Sequence, residues 1–249
     1  MNNPLVSILS LSYNHEKYLP DFFESILNQT YRPIELVLCN DCSPDNSEPI
    51  IQNYLPKLTK NNISYIYLVP GGNQGFFKSF DMVREATSGE YIATLETDDY
   101  YLPTKIEESV KFLQNNPQFG AMATDINSLW EDGRYEEYSW RRMGINQNGN
   151  EIPYPYLLQD NRIYTCTAVY KTSIFNKSPL DSEWEKSGYK MGDYPRALWI
   201  GRRHKIGYLD KNLSTYRIHG KSASHNPETY AAFVASYLQI KEDAKAGKI

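Results

Sequence analysis

The chain is poor in cysteine: Cys39, Cys42 and Cys166 are its only thiols in 249 residues. Three thiols cannot build a disulfide framework, and they fit a reducing compartment. Cys39-Asn40-Asp41-Cys42 does spell C-x-x-C. A redox pair, however, places its first cysteine at a helix N-terminus, where the thiolate is stabilised. Cys39 instead ends an apolar run, and a second pair with zinc-ligand spacing is missing. No apolar run approaches the roughly 18 residues that a membrane span needs. Met1-Asn2-Asn3-Pro4 lacks the basic and apolar regions of a signal peptide. Excess charge is missing as well: 26 Lys and Arg against 30 Asp and Glu leave −4, too little basic field for a general nucleic-acid binder. There is no G-x-G-x-x-G and no Walker pattern, which removes the dinucleotide and P-loop readings. Repeats and low-complexity segments are absent too. These absences and the length lead to the expectation of a cytoplasmic, globular chain of one ordinary domain or two small abutting ones.

What is present is an alternation. Leu5 to Leu11 reads as a strand buried on both faces. Tyr18, Leu19, Phe22, Phe23, Ile26 and Leu27 recur at helical spacing. Ile34 to Cys39 is the next strand, and Ser43-Pro44 offers an N-cap and a first-turn proline for a helix carrying Ile51, Tyr54 and Leu58. Ile63 to Val69, the helix of Phe76, Phe77, Phe80 and Val83, Tyr91 to Leu95, the helix after Pro103, and Gly120 to Thr124 continue the pattern. This order predicts an α/β fold, a mostly parallel sheet covered by helices. Residues 126–160, with Trp130 and Trp140, read as loops and a hairpin at Asp132-Gly133. Strands are expected at Arg162 to Val169, Lys205 to Leu209 and Leu213 to Ile218, and helices at Asp193 to Arg203 and over 227–246. The apolar stripe of that last helix must meet the core, a second copy of the chain or a membrane surface; Glu242 and Asp243 dilute the lysines near its end.

In parallel sheets ligands bind beyond the carboxyl ends of the strands, so the residues there bear the chemistry. Glu96-Thr97-Asp98-Asp99 gathers three carboxylates, which are costly together unless a cation or donors satisfy them. Hard oxygen ligands of this kind suit Mg²⁺ or Mn²⁺ bound along with substrate phosphates; a solvated acidic turn is the plainer alternative. Asp41 can accept the imide N–H of a uracil or thymine ring, or simply shape a turn. Tyr13, followed by Asn14, could stack on a base for about 1–3 kcal/mol. Gly71, Gly72 and Gly75 around Asn73 could let backbone approach a phosphate or a base. Asp193 is either the N-cap of its helix or a general base. Arg217, His219 and Lys221 close the last strand, where His219 could join a carboxylate–metal site. Tyrosine is abundant at 21 residues, a weak pointer to sugar-binding grooves, because such rings also serve as boundary residues.

Five ordered segments carry a resemblance. Val6 to Asn14 (VSILSLSYN), Ser25 to Thr30 (SILNQT), Asn40 to Ser47 (NDCSPDNS), Gly89 to Asp99 (GEYIATLETDD) and Tyr216 to Gly220 (YRIHG) resemble the family 2 glycosyltransferases of the GT-A fold, from about residue 4 to 224. The resemblance implies a Rossmann-like sheet with a smaller acceptor-side region and a C-terminal helix. It implies a nucleotide-sugar half at 1–125, an acceptor-binding and catalytic half at 126–225, and a helix at 226–249. It also implies an inverting transferase that uses a nucleotide-diphosphate sugar, commonly a UDP- or dTDP-sugar, with Mn²⁺ or Mg²⁺. A glycan or lipid-linked sugar would accept, as in surface polysaccharide synthesis, with peripheral membrane contact and a homodimer compatible with the pattern.

On the same resemblance Tyr13, Asn14, Asp41, Lys78 and Asp98 match nucleotide-contacting positions. Asp98, Asp99 and His219 match metal positions, and Asp193 matches the acceptor base. Two residues depart from the pattern: Glu96 stands where Asp is usual, and Gly192 where an acidic neighbour of Asp193 is usual. A degenerate, non-catalytic subunit binding a nucleotide-sugar or glycan is the rival expectation, and a nucleotidyltransferase is a further one. The early Gly-rich Arg/Lys loop expected of a nucleotidyltransferase is missing after the first strand.

Overall fold

The computed structural model describes residues 3–138, 150–220, 222 and 225–249. Trp140 and Lys221 lie outside the described residues. Four parallel strands form the first half of the sheet: β1 (Val6–Ser12), β2 (Ile34–Asn40), β3 (Ile63–Leu68) and β4 (Tyr91–Thr94). Helices α1 (Leu19–Leu27), α2 (Ser47–Lys60) and α3 (Phe76–Glu85) connect them. After β5 (Tyr100–Tyr101) and α4 (Lys105–Asn115) come β6 (Phe119–Trp130) and β7 (Tyr135–Tyr138), which close the hairpin expected at Asp132-Gly133. Then follow β8 (Glu151–Ile152), α5 (Tyr154–Gln159), β9 (Val169–Lys171), α6 (Thr172–Phe175), α7 (Asp181–Lys186), α8 (Asp193–Arg203), β10 (Lys205–Ile218) and α9 (Tyr230–Lys245). The main path of the sheet runs β3-β2-β1-β4-β9-β6-β10-β5. Its β6–β10 pair is parallel, while β9 is antiparallel to both of its neighbours.

The alternation of strand residues explains the two apolar layers. Leu9, Leu11, Val37 and Cys39 face one layer, with Phe77, Phe80 and Val83 of α3. Ile8, Leu36 and Leu38 face the other, with Phe22, Phe23, Ile51 and Leu58 of α1 and α2. Among the described residues no helix is long and apolar enough to cross a membrane. Helix α9 docks on its own chain: Ile240 and Ala244 are buried, and Tyr237 stacks on Tyr194 of α8 at 5.4 Å. Leu238 of the same helix is exposed.

Strand β8 and helix α5 fall in the stretch expected to be loops, and four further differences have a local reason. Helix α2 begins at Ser47 rather than beside Ser43-Pro44. Ser43 Oγ is engaged by Asn40 at 2.6 Å and by the Asn14 N–H at 3.1 Å, and Asp45 supplies the oxygen for Ser47 N–H at 3.0 Å. Strand β6 continues past Thr124 although Asp125 and Asn127 are polar. Tyr208 donates to Asp125 at 2.7 Å and Asn212 to Asn127 at 2.9 Å, so both are satisfied within the sheet. Residues 165–167 form a 3₁₀ turn where a strand was expected, because three successive carbonyls accept from side chains. Thr94 Oγ1 donates to Thr165 O, Ser214 Oγ to Cys166 O and Lys105 Nζ to Thr167 O. The two strands expected at 205–209 and 213–218 are one, β10, with register shifts around Asn212.

Lys105 is fully buried, and its ammonium donates to Thr167 O at 2.6 Å and Thr124 Oγ1 at 3.3 Å. Burial pushes its pKa down from 10.5 to about 7. Below about 7 the folded chain carries the full cost of a buried cation. Between about 7 and 10.5 the unfolded chain binds the extra proton, so this group's contribution to stability rises with pH. Urea unfolding of Lys105→Met beside the native chain is therefore expected to give diverging pH dependences. The native chain should gain on the variant by up to about 1.4 kcal/mol per pH unit across that window. Parallel curves would contradict the assignment.

Candidate active site

The parallel strands deliver their carboxyl ends to one edge of the sheet, and with them the residues singled out above. After β1, Tyr13 is 49% exposed, an aromatic face open to solvent. Asn14 takes a left-handed φ of 60° and hydrogen-bonds through its N–H to Ser43, joining the β1 and β2 ends. Asp41, buried after β2, accepts the N–H groups of Gln74 at 2.7 Å and Gly75 at 2.8 Å. Asn73 also donates to the Asp41 carbonyl. The carboxylate thus pins the glycine-bearing loop in front of α3, and each oxygen keeps a lone pair for a further donor. Gly75 has a φ of 79°, the left-handed conformation that favours glycine. Lys78 stands exposed on the first turn of α3 behind this loop.

The acidic turn after β4 splits into three roles. Asp98 Oδ2 lies 3.0 Å from His219 Nε2 and 3.9 Å from His15 Nε2. Burial alone would raise its pKa, but the His219 hydrogen bond and the two imidazoles hold Asp98 below the ordinary carboxylate range. Among the described residues, His15, Asp98 and His219 form a group whose ligand atoms lie within 4.8 Å of one another. Asp99 turns away from that group. It is buried and accepts the Arg217 backbone N–H at 2.8 Å, and burial together with the Asp98 charge raises its pKa well above the usual value. Arg217 also donates to the Asp98 carbonyl at 2.9 Å and to Asp21 at 2.8 Å, locking the end of β10 against the turn. Glu96 is pushed up to about 8 by burial and then by the Asp98 and Asp193 charges.

Asp193 begins α8, with Gly192 at the N-cap position and no side-chain cap. Its carboxylate accepts Asn161 Nδ2 at 3.0 Å, and burial raises its pKa despite that bond. One turn on, Arg196 is buried and pairs with the fully buried Asp181 through two 2.5 Å contacts, its guanidinium against the rings of Phe80 and Phe175. This pair explains Gly192. A Cβ at residue 192 would sit 2.0 Å from Asp181 Oδ1, so a carboxylate from α7 fills the space of the missing side chain. Gly192→Ala is therefore expected to dislodge Asp181 and leave Arg196 buried and unpaired, at a cost of about 3–5 kcal/mol. Thermal unfolding checks this, and an unchanged midpoint would contradict it.

The geometry thus joins Asp98 to His219 across 121 residues of sequence. Both Asp98 and Asp193 lie within electrostatic reach of Glu96. It does not bring Asp99 into the imidazole group. His15, Asn161, Asp181 and Arg196 escaped the sequence reading. His15 directly follows the Tyr13-Asn14 strand end, which is the one local signal that could have flagged it; the others are legible only once the chain is folded. Chemically, the edge offers a cluster of one carboxylate and two imidazoles with the spacing to hold a cation. It also offers a carboxylate-lined loop that can accept N–H groups, and a half-buried carboxylate of raised basicity.

The sequence pattern of Glycosyl transferase family 2 matches residues 7–183. An uncharacterized glycosyltransferase of Haemophilus influenzae is 26% identical over 90% of this chain and 68% of its own length. A protein of Mycobacterium tuberculosis is 27% identical over 90% of this chain and 62% of its own length. The chain thus spans about two thirds of these curated relatives. Among solved structures, TarS of S. aureus in complex with UDP-GlcNAc superposes with a TM-score of 0.68 at 16% identity, over 91% of this chain and 64% of its own. The mannosyltransferase PcManGT of Pyrobaculum calidifontis, in complex with GDP-Man and Mn²⁺, gives 0.66 at 13% identity, over 99% and 75%. At these identities the structural likeness bears on the GT-A fold alone.

Proposed function

The chain belongs to glycosyl transferase family 2, and from that premise we propose that it moves a sugar from a UDP- or dTDP-sugar to a hydroxyl of a glycan or lipid-linked acceptor, inverting the anomeric carbon. Surface polysaccharide synthesis is the setting this reading suits. The observation that carries it is the meeting of Asp98 with His219, which builds a cation cluster at the strand ends while Asp193 stands apart with raised basicity. In this reading residues 1–125 hold the donor and residues 126–225 the acceptor. Tyr13 stacks on the base, Asp41 accepts its imide N–H, and Asn14 and Lys78 lie along the nucleotide.

A divalent cation, when bound, would offset the charge of the departing diphosphate. Asp98 and His219 would hold it; Asp99 would act by fixing the turn through Arg217, a change from the direct ligand role that the resemblance implies. Asp193 takes the proton of the acceptor hydroxyl as it attacks from the face opposite the diphosphate, through an oxocarbenium-like transition state. Asn161 orients that carboxylate, and the groove supplies the approach of two substrates. Retention of Asp41, Asp98, Asp193 and His219 together weighs against a non-catalytic subunit.

Calorimetry of UDP, dTDP and GDP in the presence of Mn²⁺ tests the donor class. The uracil or thymine nucleotides are expected to bind at least about tenfold tighter, for one discriminating hydrogen bond of roughly 1.4 kcal/mol. Tighter GDP binding would overturn the base assignment.

A further inference from the structure

His15 stands at the Asp98 carboxylate from a different strand end. Its ring and that of His219 have centroids 6.3 Å apart and planes at 89°, so each can turn a nitrogen edge toward the space beside Asp98 without stacking. The hydrogen bonds around His15 fix its tautomer. The Thr97 hydroxyl has one proton, and it donates that proton to the Leu11 carbonyl at 2.9 Å. In the 2.8 Å contact between Thr97 Oγ1 and His15 Nδ1, the donor is therefore the ring Nδ1–H. A neutral imidazole protonated at Nδ1 carries its lone pair on Nε2, and Nε2 is the nitrogen 3.9 Å from Asp98 Oδ2. Metal-ligating histidines are held in this manner, the far nitrogen donating to a fixed oxygen that sets tautomer and ring orientation. The anchor is firm, since Leu11 lies in the central strand β1 and the Thr97 N–H bonds to the same Leu11 carbonyl.

We propose that His15 is a third ligand beside Asp98 and His219, so that the site offers two imidazole nitrogens and one carboxylate and selects Mn²⁺ and similar transition metals over Mg²⁺. This rests on the reading of the Asp98 cluster as the cation site of a nucleotide-diphosphate enzyme. The selectivity follows from ligand chemistry. Mg²⁺ prefers oxygen ligands and retains its water, whereas imidazole suits the first-row transition metals. A site with one imidazole can serve either ion; a second nitrogen shifts the balance.

The test is binding of Mn²⁺ and, separately, Mg²⁺ to the full chain with UDP, by calorimetry, together with electron spin-echo detection of ¹⁴N coupling to the bound Mn²⁺. The native chain is expected to bind Mn²⁺ at least about tenfold tighter than Mg²⁺. His15→Ala should lower Mn²⁺ affinity by about tenfold or more, leave Mg²⁺ nearly unchanged and reduce the ¹⁴N modulation. Thr97→Val keeps the ring but removes the oxygen that fixes its tautomer, and should weaken Mn²⁺ by about 10- to 100-fold. An unaltered Mn²⁺/Mg²⁺ ratio and undiminished ¹⁴N modulation in His15→Ala would overturn the proposal. If His219→Ala loses Mn²⁺ while His15→Ala does not, only the role of His15 falls. If the native chain binds neither ion with UDP, the cation reading of the whole site falls with it.

Discussion

Asp98→Ala is expected to abolish metal-dependent nucleotide binding, lowering UDP affinity in the presence of Mn²⁺ by about 100-fold, while UDP affinity without metal changes little. The carboxylate is the one oxygen donor of the cluster, and removing it takes away the negative charge that would offset a dication beside the diphosphate. His219 is buried against Asp98 and the Tyr18 ring, 4.8 Å between ring centroids. The fold around it rests on Arg217 and Asp99 and should survive the substitution. Asp99→Ala is the informative companion. Its carboxylate holds the Arg217 N–H in a buried setting, so that variant should lose stability as well as binding. Calorimetry with and without Mn²⁺, paired with thermal unfolding, separates the two variants. Asp98→Ala retaining full metal dependence would remove it from the site.

Asp193→Asn should cut transfer by about 10²- to 10⁴-fold while leaving nucleotide-sugar binding within a few-fold of native, because a general base acts on the acceptor proton only as the transition state is reached. Asp193 lies in the first turn of α8 and its carboxylate meets backbone N–H groups there; asparagine keeps an acceptor at that place, so helix stability should change little. Asparagine can still meet Asn161 through its amide, so the local geometry has a partner to keep. The raised pKa of Asp193 suits a group that must take up a proton, and activity should fall on the acid side as that carboxyl becomes protonated. Full transfer by the Asn variant would turn attention elsewhere. Asp125, another carboxylate on the same sheet, is fully buried in β6 under the Tyr208 hydroxyl and is a poor substitute.

The first half of the fold was legible because its strands are continuous apolar runs and its helices carry clear stripes. Burial on both sheet faces imposes that pattern directly on the residues. The second half was not, because there the sheet is completed by polar residues whose partners are remote in sequence. Asp125 needs Tyr208, Asn127 needs Asn212, and the 3₁₀ turn at 165–167 needs Thr94, Lys105 and Ser214. The candidate site divides along the same line. Asp41, Asp98 and Asp193 could be read from their place after strands or before a helix. That Asp98 meets His15 and His219, while Asp99 instead faces Arg217, depends on where two distant strands end. Gly192 looked like a loss when read in one dimension; in the folded chain Asp181 stands in its space.

The central claim, transfer from a nucleotide-diphosphate sugar, is tested most directly by incubating the chain with UDP-glucose, UDP-galactose, UDP-N-acetylglucosamine, dTDP-glucose, dTDP-rhamnose and GDP-mannose. Each is supplied with Mn²⁺, with and without simple glycoside acceptors, and released nucleotide diphosphate and sugar product are followed by chromatography and NMR. The account expects turnover of one UDP- or dTDP-sugar that requires the metal, is lost in Asp98→Ala and Asp193→Asn, and yields a product of inverted anomeric configuration. Tight, metal-dependent UDP binding with no turnover of any donor, or a product of retained configuration, would contradict it.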